Sequence, residues 1–276
     1  MQFLAMLARR PAILVRVTAT RGSVPREAGA WMAVFADAVV GTIGGGHLEY
    51  QAIDQARAAL AAHGESGGPG AALVRRRFAL GPSLGQCCGG VVHLEFEPVS
   101  ASDAPALGRA LQVKLTPLAL FGAGHVGQAL ARVLAPLPFA LTWIDSRDGV
   151  FPSDLPAQVA CEQSEPLQSA VPGLAPGSRV LVMSFSHAED LEVVAGCLAR
   201  QRTRADLPYI GLIGSQTKWA TFRHRLAARG FAPVELAQVT CPIGVPGITG
   251  KEPEIIAVAV AAQLLQTLAN PSVAPQ

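Results

Sequence analysis

Along the first hundred residues the apolar positions come in separated blocks. "AILVRVTAT" (12–20) and "VVHLEFEP" (91–98) read as strands, whereas "HLEYQAIDQARAALAAHG" (47–64) places Leu48, Ala52, Ile53, Ala56 and Leu60 at helical spacing and stops at Gly64. This mixture predicts a small α+β domain. Two stretches rich in Gly, Pro, Ser and Ala punctuate the chain, "HGESGGPGA" at 63–71 and "PVSASDAPALG" at 98–108, and the second reads as a domain boundary.

Beyond that boundary the pattern becomes regular. "TPLALFGAG" is an apolar strand, "HVGQALARVLAPL" a helix and "FALTWIDSR" a strand, and "SRVLVMSFS" and "LPYIGLIGS" are further buried strands separated by helical stretches. Alternating strand and helix predicts a parallel sheet covered on both faces. The chain is thus expected to be α/β: an N-terminal α+β domain over 1–100, a linker over 101–114 and a Rossmann-like domain over 115–276. A last helix, from about Pro253 through "EIIAVAVAAQLLQTL", is apolar on almost every side. It is too short to span a bilayer, so it reads as packed core or as the contact of a homodimer. No internal repeat is visible.

Composition narrows the function classes. Half of the 276 residues are apolar, the net charge is only +2, and no basic run would track a phosphate backbone, so nucleic acid is not the expected partner. The five cysteines (Cys87, Cys88, Cys161, Cys197 and Cys241) lack the even count and spacing of a disulfide framework. The opening "MQFLAMLARRPAILVRV" is interrupted by Arg9, Arg10 and Pro11, unlike a signal peptide. These features point to the cytoplasm and away from a membrane.

"LALFGAGHVGQALA" supplies Gly122, Gly124 and Gly127 in a G-x-G-x-x-G arrangement after a strand and opening a helix, and Asp145 ends the next strand about twenty residues on. In a nucleotide-binding Rossmann domain Gly122 permits the tight turn, Gly124 lets backbone amides approach a pyrophosphate, Gly127 allows close packing, and Asp145 holds a ribose hydroxyl. The alternative is a turn kept for packing alone. Arg147 could accommodate a 2′-phosphate or be a loop charge. No general base or hydride site accompanies the turn.

In "TRGSVPREAGAWM" (20–32), Arg21, Ser23 and Arg26 sit on a turn around Pro25 and Gly29, either as a guanidinium fork for phosphate or carboxylate or as solvated charges of a hairpin. In "VVGTIGGGHLEY", Thr42, Gly44, Gly45 and Gly46 lead straight into a helix, so free amides there form a potential anion nest beside His47 and Glu49. His47, His93, His125, His187 and His224 are scattered without zinc-ligand spacing. Ser186, His187 and Asp190, and likewise Gly214, Ser215 and Lys218, follow strands of the second half, where they suit ligand contact or helix capping.

Taken in order, "TRGSVPREAGA", "GTIGGGHLEY", "LGQCCGG", "FGAGHVGQALA", "DSR", "GLIGS" and "CPIGVPGITGKEPEIIAVAVAAQLL" resemble the xanthine dehydrogenase accessory protein family, XdhC/CoxI, over nearly the whole chain. The resemblance implies a molybdenum cofactor chaperone rather than a dehydrogenase. Such a protein binds molybdopterin-type cofactor, supports its sulfuration with a cysteine desulfurase, and delivers it to the large subunit of a xanthine dehydrogenase-like molybdoenzyme. "LGQCCGG" then gains a reading: glycines on both sides admit a bulky pterin, and one of Cys87 and Cys88, with Cys88 preferred, is the candidate molybdenum ligand. Otherwise both are small buried hydrophobes. The arginines of "TRGSVPRE" and the amides of "GTIGGG" become candidates for the pterin's phosphate arm. Competing classes are an NAD(P)-dependent oxidoreductase, a thiol sulfurtransferase using Cys87 or Cys88, and a scaffold without ligand.

Overall fold

A computed structural model describes residues 2–66, 73–80, 89–111, 115–156 and 158–269. The chain divides into two compact units, Met1–Gln112 and Val113–Gln276.

The first unit runs α1 (Gln2–Leu7), β1 (Ala12–Arg21), β2 (Trp31–Val34), β3 (Val39–Gly41), α2 (Gly46–Ser66), β4 (Val74–Ala79), β5 (Val91–Val99), a 3-10 turn at Ala101–Asp103 and α3 (Ala104–Ala110). Its five strands pair antiparallel in the order β3-β2-β1-β5-β4. Central β1 is buried on both faces over its first half. Ala12 and Leu14 join Phe3 and Leu7 of α1 and Leu107 of α3, while Ile13, Val15 and Val17 face Leu48, Ala52 and Ala56 of α2. Alternate side chains on opposite faces, both covered, explain the unbroken apolar start of this strand.

The strands expected over 12–20 and 91–98 correspond to β1 and β5, and the helix expected to stop at Gly64 continues to Ser66. The stretch read as a linker begins instead with ordered structure. Asp103 Oδ2 accepts from the Ser100 amide at 2.8 Å, and α3 buries Leu107. Its Ser, Pro and Ala content reflects a helix start, and the division between units falls after residue 112, inside the stretch 101–114.

The second unit runs β6 (Thr116–Phe121), α4 (His125–Leu134), β7 (Phe139–Asp145), β8 (Val159–Gln163), a 3-10 segment at Leu167–Gly173, β9 (Arg179–Val182), α5 (His187–Arg204), β10 (Tyr209–Leu212), α6 (Gln216–Ala228), α7 (Pro233–Leu236), β11 (Val239–Thr240) and α8 (Pro253–Ala269). All six strands are parallel, in the order β11-β10-β9-β6-β7-β8. This doubly wound order reverses between β6 and β9 and creates a switch point at their carboxyl ends. Leu118 and Leu120 of β6 face α4 and α8, and Ala119 and Phe121 face the side carrying α5, α6 and α7. Helix α8 buries Ala257, Val260, Ala261 and Leu264 in that core and leaves Val258 and Leu265 exposed. Among the described residues no helix is long and apolar enough to cross a membrane.

Candidate functional site

Three of the motifs meet at one end of the first unit's sheet. A Cβ on Gly90 would lie 2.3 Å from the Ser23 carbonyl oxygen and 2.8 Å from that of Arg21, so the entry to β5 runs directly against the β1–β2 turn. A Cβ on Gly44 would lie 2.6 Å from Cβ of Pro25, so the loop after β3 packs on the same turn. Only glycine allows these approaches. Arg21, Ser23 and Arg26 are exposed there, and neither arginine has an ion-pair partner among the described residues. Cys87 and Cys88 lie outside the described residues; their neighbours Gly89 and Gly90 belong to this cluster.

The nest at 42–46 differs from expectation. Gly44, Gly45 and Gly46 all have positive φ, as a nest requires, but the Thr42 hydroxyl and the Ile43, Gly44 and Gly45 amides are already engaged. Oε2 of Glu49 accepts from the Thr42 hydroxyl at 2.5 Å, the Ile43 amide at 2.9 Å and the Gly45 amide at 3.1 Å, and the Gly44 amide donates to Thr42 Oγ1 at 3.0 Å. Partial burial pushes the Glu49 carboxyl up, but the bonds from Thr42 and the Gly45, Ile43 and Gly44 amides outweigh it, and the group sits below its ordinary range. The chain's own carboxylate fills the place foreseen for an external anion. His47, beside it, pairs with Gln51 at 3.1 Å.

At the switch point of the second unit the three glycines have distinct duties. Gly122 has φ +115°, and a Cβ there would lie 2.1 Å from the Met183 carbonyl oxygen. A Cβ on Gly127 would lie 2.2 Å from the Gly122 oxygen, which also accepts from Trp143 Nε1 at 2.9 Å. Gly124 faces open space and begins α4 with no side-chain cap. Asp145, 1 % exposed, is spent within the protein. Its Oδ2 accepts from the Ala123 amide at 2.6 Å and from an Arg147 terminal nitrogen at 2.9 Å, and its Oδ1 from the Arg147 amide and Nε, both at 2.9 Å. Burial works upward on this carboxyl, but the Arg147 and Ala123 donors hold it below the ordinary range. Asp145 stands where a ribose-binding acid stands, and instead fixes the glycine turn.

Sequence reasoning missed the polar contacts around this turn. Asp190 is buried at the start of α5, accepts from the Ser184 amide and hydroxyl at 2.8 Å each, and pairs with Lys218 Nζ at 2.6 Å. Lys218 also donates to the Ile213 carbonyl at 2.9 Å, so it is spent on joining two loops. Ser186 and Ser215 cap α5 and α6, which is the capping alternative for both strings. Ser146 Oγ donates to Glu189 Oε1 at 2.6 Å, and Arg147 lies over the Phe185 ring with 5.1 Å to its centroid. Partners this far apart along the chain leave no local signature.

Burial raises the described thiols above their usual value, Cys161 in direction, Cys241 to about 11 and Cys197 to about 12. None of these three is a thiolate near neutral pH. Among the described residues no group of three or more His, Cys, Asp or Glu could hold a metal ion.

Residues 118–264 match the XdhC Rossmann domain, and residues 5–75 match the XdhC and CoxI family. The chain is 28% identical over 268 residues to the uncharacterized protein YqeB of Escherichia coli (strain K12), covering 94% of this chain and 44% of that one, so it spans less than half the length of this curated relative. A solved structure from Bacillus halodurans, described as a xanthine dehydrogenase, superposes with a TM-score of 0.77 at 19% identity over 100% of this chain and 97% of that one. At that identity the likeness establishes the fold.

Proposed function

Because the chain belongs to the XdhC and CoxI family, we propose that it is a maturation factor for a xanthine dehydrogenase-type molybdoenzyme rather than an oxidoreductase itself. It binds a molybdopterin-type cofactor in the cytoplasm, supports its sulfuration with a cysteine desulfurase, and hands it to the large subunit of its client. The supporting observation is the meeting of the Arg21–Arg26 turn with Gly90, two residues beyond the paired cysteines.

The residues fit this ligand in part. Exposed Arg21 and Arg26, unpaired among the described residues, suit a phosphate arm, with Ser23 as a further donor, and glycines 89 and 90 bring bare backbone to the same place. The amides of 42–46 fit less well, since Glu49 holds those of Ile43 and Gly45 and Thr42 Oγ1 that of Gly44. When bound, the cofactor supplies a molybdenum centre for which a thiolate is a suitable soft ligand. Cys87 or Cys88 is the candidate for that role on the family resemblance.

Anaerobic titration with molybdopterin cofactor tests this reading, with saturation near one equivalent per chain as the expected result. Alanine at one of Cys87 and Cys88, and at Arg21 or Arg26, should weaken retention on the order of tenfold, as loss of a charged or ligating contact does. The arginine variants should keep their unfolding free energy within about 0.5 kcal/mol, as exposed sites do. No binding by the parent protein, or full retention and client activation by every variant, overturns the proposal. A persulfide on Cys87 or Cys88 without cofactor binding would favour a sulfurtransferase.

A further inference from the structure

The sheet of the first unit ends on a strand that leaves backbone groups unused. β4 pairs with β5 and with no other described strand. The Leu80 amide donates to the Gly90 carbonyl at 2.8 Å, and bonded positions alternate in an antiparallel ladder, so Phe78, Arg76 and Val74 bond toward β5. The amides and carbonyls of Arg75, Arg77 and Ala79 therefore point outward along the edge, where no described residue bonds them. We propose that this edge docks an extended acidic segment of a partner protein, which adds to the sheet as a further strand.

Charge selects the partner. Arg75 and Arg77 lie on one face of the sheet and Arg76 on the other, all three are exposed, and neither Arg76 nor Arg77 has an ion-pair partner among the described residues. β5 already shows which kind of strand β4 accepts. Its Leu94, Glu95, Phe96 and Glu97 alternate apolar and acidic, and Glu95 Oε2 accepts from Arg75 Nε at 2.9 Å across the ladder. A strand of the same alternation on the open side sets acids beside Arg75 and Arg77, the opposite-charge pairing that stabilises neighbouring strands.

Charged edges also keep strands apart, and arginines alone would read that way. This edge departs from that pattern at its head, where Leu73 is 45 % exposed and Val74 42 % exposed, an apolar contact that protection would omit and an incoming strand can cover. A second copy of β4 is a poor occupant, because its arginines would face these arginines. The surface uses none of the residues assigned to the cofactor, so it stands or falls separately from the pterin proposal.

Fluorescence anisotropy of the full chain with a labelled peptide of alternating glutamate and valine provides the test. It should bind at one per chain, and a peptide of alternating lysine and valine about tenfold more weakly or less still. Two further versions of the acidic peptide carry methyl groups on the backbone nitrogens of either every glutamate or every valine and keep its charge. Only one side of an added strand bonds to β4, so one of these should bind about tenfold more weakly than the other. Arg77→Glu, checked for folding by circular dichroism and melting, should weaken the acidic peptide about tenfold and improve binding of the basic one. The proposal is overturned if the acidic peptide does not bind at millimolar concentration or if the basic peptide binds as well. Equal affinity for the two methylated versions, a comparison that needs no variant, would mean attraction of a polyanion without strand addition and overturns it too. So does an unchanged preference for the acidic peptide in Arg77→Glu.

Discussion

Each unit carries a glycine-rich turn at the start of a helix, and the two dispose of their amides differently. At 42–46 the carboxylate comes from the helix the turn opens: Glu49 reaches back to Ile43 and Gly45 and closes the nest. At 122–127 it comes from a neighbouring strand: Asp145 takes the Ala123 amide from the side and leaves Gly124 uncapped. Glycine spacing therefore makes amides available in both places, and the nearest acid decides whether a ligand finds them free. The first turn is a closed structural joint, and the second is anchored but open at one position.

The sharpest way to break this comparison is to add a methyl group at two positions of the second turn. Gly122→Ala combines a positive φ with a backbone oxygen 2.1 Å from the new carbon, which cannot yield, and should cost about 3–5 kcal/mol in urea unfolding. Gly124→Ala, with ordinary φ and open space, should stay within about 0.5 kcal/mol. Similar losses for the two would remove the distinction between packed and open glycines.

A smaller effect is expected from uncharging the anchoring acids. Asp145→Asn keeps an acceptor for Ala123 but abandons Arg147, and should cost about 2 kcal/mol. If the loss equals that of Arg147→Ala and the two add without coupling, the pair is not the anchor.

Smallest of all is Glu49→Gln, at about 1 kcal/mol, the size of a lost helix cap. Its mark is in the pH dependence. The folded carboxyl sits below its ordinary 4.5, so its contribution is fully present above that value and is lost as pH falls through the folded one. Between pH 7 and 3, urea unfolding of the parent should lose this margin while the Gln variant, which lacks it, falls less steeply. Parallel curves would show that Glu49 does not hold the nest.

Much of this was legible in the chain. Runs such as Leu118–Phe121 are apolar because both faces of a parallel strand are covered, and they identified the second unit and its turn directly. The edge strands were not legible: β4, "VRRRFA", and β8 expose most of their side chains, so no apolar period marks them. The position of Asp145 was readable and its partner was not. An acid at a strand end looks the same whether it awaits a ribose or binds Arg147 two residues on. Glu49, Glu189 and Lys218 act through folded contacts that composition and spacing do not encode.

The position of β1 in its sheet also has a consequence for synthesis. Its neighbour on one side is nearby β2, but on the other it pairs with β5, from Ala12 opposite Val99 to Arg21 opposite Val91. On a ribosome adding roughly 5–20 residues per second, one edge of this strand waits on the order of ten seconds for its partner to emerge. During that interval a segment built to be apolar on both faces is exposed with unpaired backbone groups, the combination that invites association with other chains. Within the first unit, β1 therefore depends on protection until residue 99 has been made.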